Sequence, residues 1–281
     1  MGREGASHFR GEITMRLFAC KIAVLAVCVL AAQTAFGQDW AQAQLQKSPR
    51  HREWVTVKHG DRAVETFIAY PESSEKRPVV LIIHEIFGMT DWVRELADEF
   101  AAAGYVAVAP DLLSGMGPNG GRSTSFAQGT ATEAVSHLPA DQITADLNAV
   151  ADYAVKLPAA NGKLFEAGFC WGGGQSFRFA TNRADLAAAF VFYGPPPSKD
   201  AMARIKAPVY GFYAGNDARI SAAVPQTTED MKALGKAYQP VIYAGAGHGF
   251  MRAGEAPNAS EGNKAARDKS WARLKELLAR N

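Results

Sequence analysis

The chain has 281 residues, with 30 Lys and Arg set against 28 Asp and Glu, for a formal charge of +2. That near balance, without a basic stripe, excludes nucleic acid as an expected partner. Apolar residues at 48% and charged residues at 21% are ordinary globular values.

In chain order, Met15-Arg16-Leu17-Phe18-Ala19-Cys20-Lys21 supplies a positive n-region, and 22–32 is an apolar stretch. Ala35-Phe36-Gly37 has small residues at both cleavage-specifying positions. Residues 1–37 therefore read as a signal peptide, with Met15 an alternative start. The mature chain is expected to begin near Gln38, in the periplasm or outside the cell. The competing reading, an uncleaved anchor, would need a span of ~20 residues, longer than this run. Cys20 precedes the apolar stretch instead of ending it, which argues against a lipoprotein. No stable membrane association is expected after cleavage. Residues 38–281, about 240 in all, suffice for a single α/β domain with a sizeable core.

Residues 54–57 and 63–69 read as an antiparallel pair around the turn 58–61. Residues 79–83 form a β-branched buried strand that runs into His84-Glu85-Ile86-Phe87-Gly88. A helix over about 91–103, capped at Gly104, leads to the strand 105–109 and to Pro110-Asp111-Leu112. Residues 114–138 begin polar and glycine-rich, and predict a loop with a short helix over the site. Over 141–156, Ile143, Leu147, Val150, Tyr153 and Ala154 recur at helical spacing. A strand over 163–167 precedes the elbow described below, and a helical pattern over 175–180 follows it. The near-continuous apolar run 186–193 suits a strand covered on both faces, and it ends in Tyr193-Gly194-Pro195-Pro196-Pro197. The strand 208–212 closes on Gly215-Asn216-Asp217, and 240–243 closes on Ala246-Gly247-His248-Gly249-Phe250. Helices are expected over 224–234 and 263–279, the second with Trp271, Leu274, Leu277 and Leu278 on one face. This alternation predicts an α/β fold, a mostly parallel central sheet with helices on both faces.

Gly168-Phe169-Cys170-Trp171-Gly172-Gly173-Gly174 has the G-x-C-x-G form of a nucleophile elbow, with cysteine where serine is usual. Small residues two before and two after the cysteine let the strand reverse sharply into a helix. The side chain then stands at the helix N-terminus, where unpaired N–H groups and the dipole favour a thiolate. Taken alone, the turn reads equally well as a buried structural cysteine. Asp217 and His248 add what a triad needs, each at a strand end and in the order nucleophile, acid, base. His248 takes the thiol proton and returns it to the leaving group. Asp217 holds the imidazole tautomer and stabilises the imidazolium. Asp111, at a neighbouring strand end, is the replacement acid. Of the three cysteines, Cys20 and Cys28 lie in the signal. Cys170 is then alone in an oxidising compartment, which favours a catalytic role and predicts sensitivity to oxidation.

The segments His84-Glu85-Ile86-Phe87-Gly88, Gly168-Phe169-Cys170-Trp171-Gly172-Gly173, Gly215-Asn216-Asp217 and His248-Gly249-Phe250-Met251-Arg252 resemble the dienelactone hydrolase family of the α/β-hydrolase superfamily. Pro110-Asp111-Leu112 is similar too, and the resemblance spans roughly residues 55–279. It implies the α/β-hydrolase fold and ester hydrolysis of the carboxymethylenebutenolidase type. It implies that Glu85 lies beside the cysteine and helps generate the thiolate when substrate binds. The backbone N–H groups of Ile86 and Trp171 would form the oxyanion hole, each worth about 3–4 kcal/mol. Arg252 would bind a substrate carboxylate, a task its planar fork suits. The family has a second substrate-binding arginine after P-D-L; here that segment offers Arg122, which does not align to the family position.

These expectations combine into an exported hydrolase that cleaves a small ester or lactone, one bearing a carboxylate, through a thioester acyl-enzyme at Cys170. Two alternatives stay open: a broad-specificity carboxylesterase or thioesterase on the same triad, and a non-hydrolytic thiol redox or binding protein. Against the latter, the mature chain has no resolving cysteine and lacks no triad member. No cofactor and no metal are expected, since neither H-x-x-x-H nor C-x-x-C spacing occurs. The expected partner is the small-molecule substrate, and the oligomeric state stays open. Phe87, Phe169, Trp171 and Phe250 neighbour the motif residues and predict an aromatic pocket. Tyr193 either lines it or sets its ring in the core with the hydroxyl out.

Overall fold

Successive side chains of residues 79–83 leave the backbone on opposite sides, and both sides are buried. Val80 and Ile82 enter one apolar cluster, and Val79, Leu81 and Ile83 another. Such a strand belongs at the centre of a sheet covered on both faces. The computed structural model, which describes residues 38–127 and 129–281, places it there. The strands are β1 (Arg52–His59), β2 (Arg62–Ala69), β3 (Arg77–Ile83), β4 (Val106–Pro110), β5 (Ala160–Phe169), β6 (Leu186–Phe192), β7 (Val209–Ala214) and β8 (Tyr238–Tyr243). Their order in the sheet is β1-β2-β4-β3-β5-β6-β7-β8. β2 pairs antiparallel with both β1 and β4, and every other pair is parallel. The hairpin expected near residue 60 is present, with His59 opposite Arg62 and Val57 opposite Val64.

Helices α1 (Asp39–Lys47), α2 (Asp91–Ala102), α3 (Thr130–Ser136), α4 (Ala140–Ala154) and α5 (Trp171–Phe179) fall in the first two thirds of the chain. The short α6 (Lys199–Met202), α7 (Ala218–Ser221) and α9 (Phe250–Ala253) alternate with α8 (Val224–Ala233) and the long α10 (Glu261–Arg280). The Thr90 hydroxyl accepts from Val93 N and starts α2, and Gly104, at φ +96°, ends that segment. α2 and α10 cover one face of the sheet, with Phe100 edge-on to Trp271 at 5.1 Å. α4, α5 and α8 cover the other. Each fully buried Leu, Val or Phe in these layers contributes roughly 1.5–3 kcal/mol.

α1 was not among the expected helices. It buries only Ala41 and Leu45, and its exit is held from elsewhere. The Ser48 hydroxyl donates to Asp98 Oδ1 at 2.7 Å, and Arg50 Nη2 donates to Asp98 Oδ2 at 2.6 Å. The expected signal sequence, its cleavage site, Cys20 and Cys28 lie outside the described residues. Among the described residues no helix is long and apolar enough to cross a membrane.

From β3 the chain steps to β4 on one side, and it later places β5 on the other. The two crossovers diverge at the carboxyl ends of these strands, where open α/β sheets hold their ligands. The segments after β3, β5, β7 and β8 all emerge at that edge.

Candidate active site

Cys170 closes β5 and opens α5 with φ 58° and ψ −118°. That backbone costs a non-glycine residue of order 1–3 kcal/mol and persists only where its surroundings impose it. Here close approach imposes it. A Cβ on Gly168 would lie 2.0 Å from Gly172 O, and one on Gly172 would lie 2.3 Å from both Ile83 O and His84 O. The second contact seats the elbow against the end of β3. Cys170 N donates to Phe192 O, at the end of β6, at 3.1 Å.

His248 Nε2 lies 3.0 Å from Cys170 Sγ, and His248 Nδ1 lies 2.5 Å from Asp217 Oδ2. With the thiol donating to Nε2 and Nδ1–H donating to the carboxylate, the three side chains form one hydrogen-bonded relay. Asp111 is committed elsewhere. Its Oδ1 accepts from Ser123 Oγ at 2.6 Å and from Leu113 N at 3.1 Å, while Oδ2 accepts from Ser123 N at 3.0 Å. It braces the loop over 111–125, and Ser123 Oγ also accepts Met89 N–H at 3.0 Å.

Burial, followed by the nearby Glu85 carboxylate, pushes the Cys170 thiol up to about 11. The N–H groups of Trp171 and Ile86, with Arg219 beyond them, pull it down by less. The N–H groups at the helix N-terminus act in the expected direction, toward the thiolate. Desolvation of the sulfur outweighs the local dipole. The two N–H groups at the sulfur are the pair expected to face a developing oxyanion.

His84, which the sequence left without a role, braces that pair. Its fully buried ring stacks on Trp171, with centroids 5.6 Å apart and planes 16° apart. Nδ1–H donates to Glu85 O at 2.7 Å, and Nε2 accepts from Leu112 N at 3.4 Å. Burial holds its pKa below the usual histidine value, in keeping with this neutral tautomer.

Glu85 is buried, and its Oε2 accepts from Arg252 Nε at 2.6 Å. The Arg252 guanidinium lies over the Phe87 ring at 5.2 Å. Arg252, expected to meet a substrate carboxylate, is thus engaged with Glu85 and does not line the cleft beside Cys170. The reason is tertiary: α9 carries it against the end of β3. Arg122 is also outside the cleft, over the Trp54 ring at 3.7 Å and 3.8 Å from Glu65.

The cleft has a volume of about 390 Å³. Beside Cys170 it is lined by Ile86, Trp171, Tyr193, Ile220 and His248, together with Gln175, Arg178, the Pro195-Pro196-Pro197 run and Arg219. Of the four aromatics expected there, Trp171 lines it. Phe169 and Phe250 are buried in the core behind, and Phe87 carries Arg252. Tyr193, at φ 39°, is fully buried and sets its ring edge-on to His248 at 5.1 Å. Its ring packs in the core against Phe192 and Phe250, as the core alternative expected, but its hydroxyl has no partner and does not reach solvent.

Among the described residues one set of side chains brings three carboxylates within 4.8 Å: Glu95, Glu99 and Glu255. Arg267 already supplies a cation there, with Nε donating to Glu255 at 2.6 Å and Nη2 donating to Glu99. Burial and the neighbouring carboxylates push Glu95 up to about 10.

A mostly parallel, doubly covered sheet with a sharp nucleophile turn after β5 and a loop histidine after β8 defines an α/β-hydrolase. The profile of the dienelactone hydrolase family matches residues 64–281, and the chain belongs to that family. It is a hydrolase acting on esters or lactones. A relative from Methylorubrum extorquens, bearing the inferred name carboxymethylenebutenolidase, is 30% identical over 238 residues, covering 80% of this chain and 79% of its own. A Salmonella typhi relative with the same inferred name is 32% identical over 228 residues, covering 76% and 81%. The crystal structure of an inferred dienelactone hydrolase from Klebsiella pneumoniae matches with a TM-score of 0.72 at 25% identity, covering 83% of this chain and 99% of that one.

Proposed function

We propose that this hydrolase is exported and cleaves a small, carboxylate-bearing ester or lactone through a thioester acyl-enzyme at Cys170. The observation that carries this reading is the Cys170–His248–Asp217 relay, 3.0 Å and 2.5 Å long, at a strained elbow. The substrate carbonyl enters with its oxygen toward the N–H groups of Ile86 and Trp171. The thiol proton passes to His248 Nε2 as sulfur attacks the carbonyl carbon. The tetrahedral oxyanion collapses, the C–O bond to the leaving group breaks, and His248 gives its proton to the departing oxygen. Water, deprotonated by His248, then opens the thioester and restores the thiol. Arg252 holds the Glu85 carboxylate near the sulfur, where it disfavours the thiolate until the proton moves to His248.

Mass spectrometry during turnover of 4-nitrophenyl acetate should find one acyl group on Cys170, with a burst of nitrophenol that Cys170→Ala lacks. Turnover in Cys170→Ala within about tenfold of wild type, a barrier change of only ~1.4 kcal/mol, would refute the covalent route. Export has its own test. The exported protein should begin near Gln38 on N-terminal sequencing, and a full-length species resisting carbonate washing would instead support the anchor. A panel of lactones and 4-nitrophenyl esters separates a specialist from a broad carboxylesterase.

A further inference from the structure

The cleft beside Cys170 is lined by two arginines, Arg178 and Arg219, and neither forms an ion pair among the described residues. Arg178, on α5, spends its donors on neutral acceptors: Nε on Gln175 Oε1 at 3.0 Å, Nη1 on Thr144 Oγ1 at 2.8 Å and Nη2 on Ala140 O at 2.9 Å. The Asp141 carboxylate acts on it only from a distance. These bonds tie Arg178 to α4 and fix its guanidinium at the cleft. Arg219, on α7 two residues after Asp217, is exposed and has no hydrogen-bond or ion-pair partner among the described residues. The Pro195-Pro196-Pro197 segment lines the same cleft, with Pro195 packed on Gly174. The cleft therefore holds uncompensated positive charge beside the thiol and its two N–H donors, with Arg219 close enough to act on the sulfur.

The Glu85–Arg252 pair behind the cleft is unsuited to take an anion. Glu85 is buried there, and its cation is already engaged with it. A substrate carboxylate at that pair would have to take Arg252 from Glu85 and leave a buried carboxylate unpaired. At Arg219 it would meet a guanidinium with a free donor fork, in a cleft that focuses the field.

We propose that Arg219, backed by Arg178, is the residue that reads the substrate's carboxylate, so that the acidic end of the ester lies along the triproline wall. This rests on the reading that Cys170 opens the ester, and it assigns the recognition to a different arginine from Arg252.

The test uses a matched pair, 4-nitrophenyl hydrogen glutarate and its neutral methyl ester, in wild type, Arg219→Gln, Arg219→Lys and Arg252→Gln. The quantity read is kcat/KM for the acid divided by kcat/KM for the methyl ester. It should fall about tenfold or more in Arg219→Gln, mainly through KM, and recover in part in Arg219→Lys. In Arg252→Gln both substrates should lose together and the ratio should hold. Any effect of Arg219 on thiol ionisation cancels in the ratio. An unchanged ratio in Arg219→Gln overturns the proposal, as does a fall confined to Arg252→Gln. Cys170→Ala separates the two readings: if it turns over both esters, the nucleophile is wrong whatever Arg219 does. If neither ester is a substrate, alkylation of Cys170 by iodoacetate and iodoacetamide decides. The rate ratio should fall in Arg219→Gln, and an unchanged ratio overturns the proposal.

Discussion

The ionisation of Cys170 governs how this enzyme begins its reaction, and it can be measured on the resting protein. With the thiol pushed up to about 11, about one molecule in a thousand carries the thiolate at pH 8, three units lower. A cysteine at the ordinary value of 9.0 would be about one-tenth ionised there. Since the thiolate is the reacting species, iodoacetamide should label Cys170 about 100-fold more slowly than a free thiol at pH 8. The rate should climb about tenfold per pH unit to pH 10 without a plateau. The two largest causes are burial and Glu85, so Glu85→Gln removes the second and the carboxylate that now accepts from Arg252 Nε. That change favours the thiolate, and the titration should move down by about one unit or more, each unit being 1.36 kcal/mol. Mass spectrometry of the labelled protein from pH 6 to 10 supplies the rates. A plateau with a midpoint below about pH 7 would mean a resting thiolate–imidazolium pair, and desolvation would no longer be the dominant influence.

Three further perturbations follow from the same structure. Asp217→Asn removes the acceptor 2.5 Å from His248 Nδ1; kcat should fall by up to ~10⁴, and full kcat would show that the acid is misassigned. Gly172→Ala drives a Cβ to 2.3 Å from two β3-end carbonyls, so overpacking should destabilise by about 1–3 kcal/mol, or ~2–4 °C of Tm per kcal/mol. It should also lower kcat by shifting Ile86, and a variant unchanged in both would contradict the close approach. Glu166 in β5 is fully buried, with the Ser176 hydroxyl as a neighbouring hydrogen-bonding group, and burial raises its pKa well above the usual range. A folded pKa above the unfolded value gives stability that is complete at low pH and lost as pH rises. The Tm of Glu166→Gln should therefore gain on wild type between pH 4 and 8, whereas a constant gap would mean that Glu166 is not buried as the acid.

The strands, and the strand-end places of Cys170, Asp217 and His248, were legible in the sequence because each depends on neighbours along the chain. Apolar runs announce doubly covered strands, and the small residues of Gly168–Gly174 are what a strand needs to reverse into a helix at Cys170. α1 was not legible, since two buried residues make no periodic stripe and its exit is held by Asp98, about fifty positions away. Arg252 could be placed four residues past His248, but its partner lies 167 positions away at the end of β3. The positive dipole end of α5 is a local property, and sequence supplies it. The desolvation that outweighs it, the orphan hydroxyl of Tyr193 and the two uncompensated arginines of the cleft depend on which segments exclude water and which charges come close. Those are decided only when strands distant in sequence end side by side.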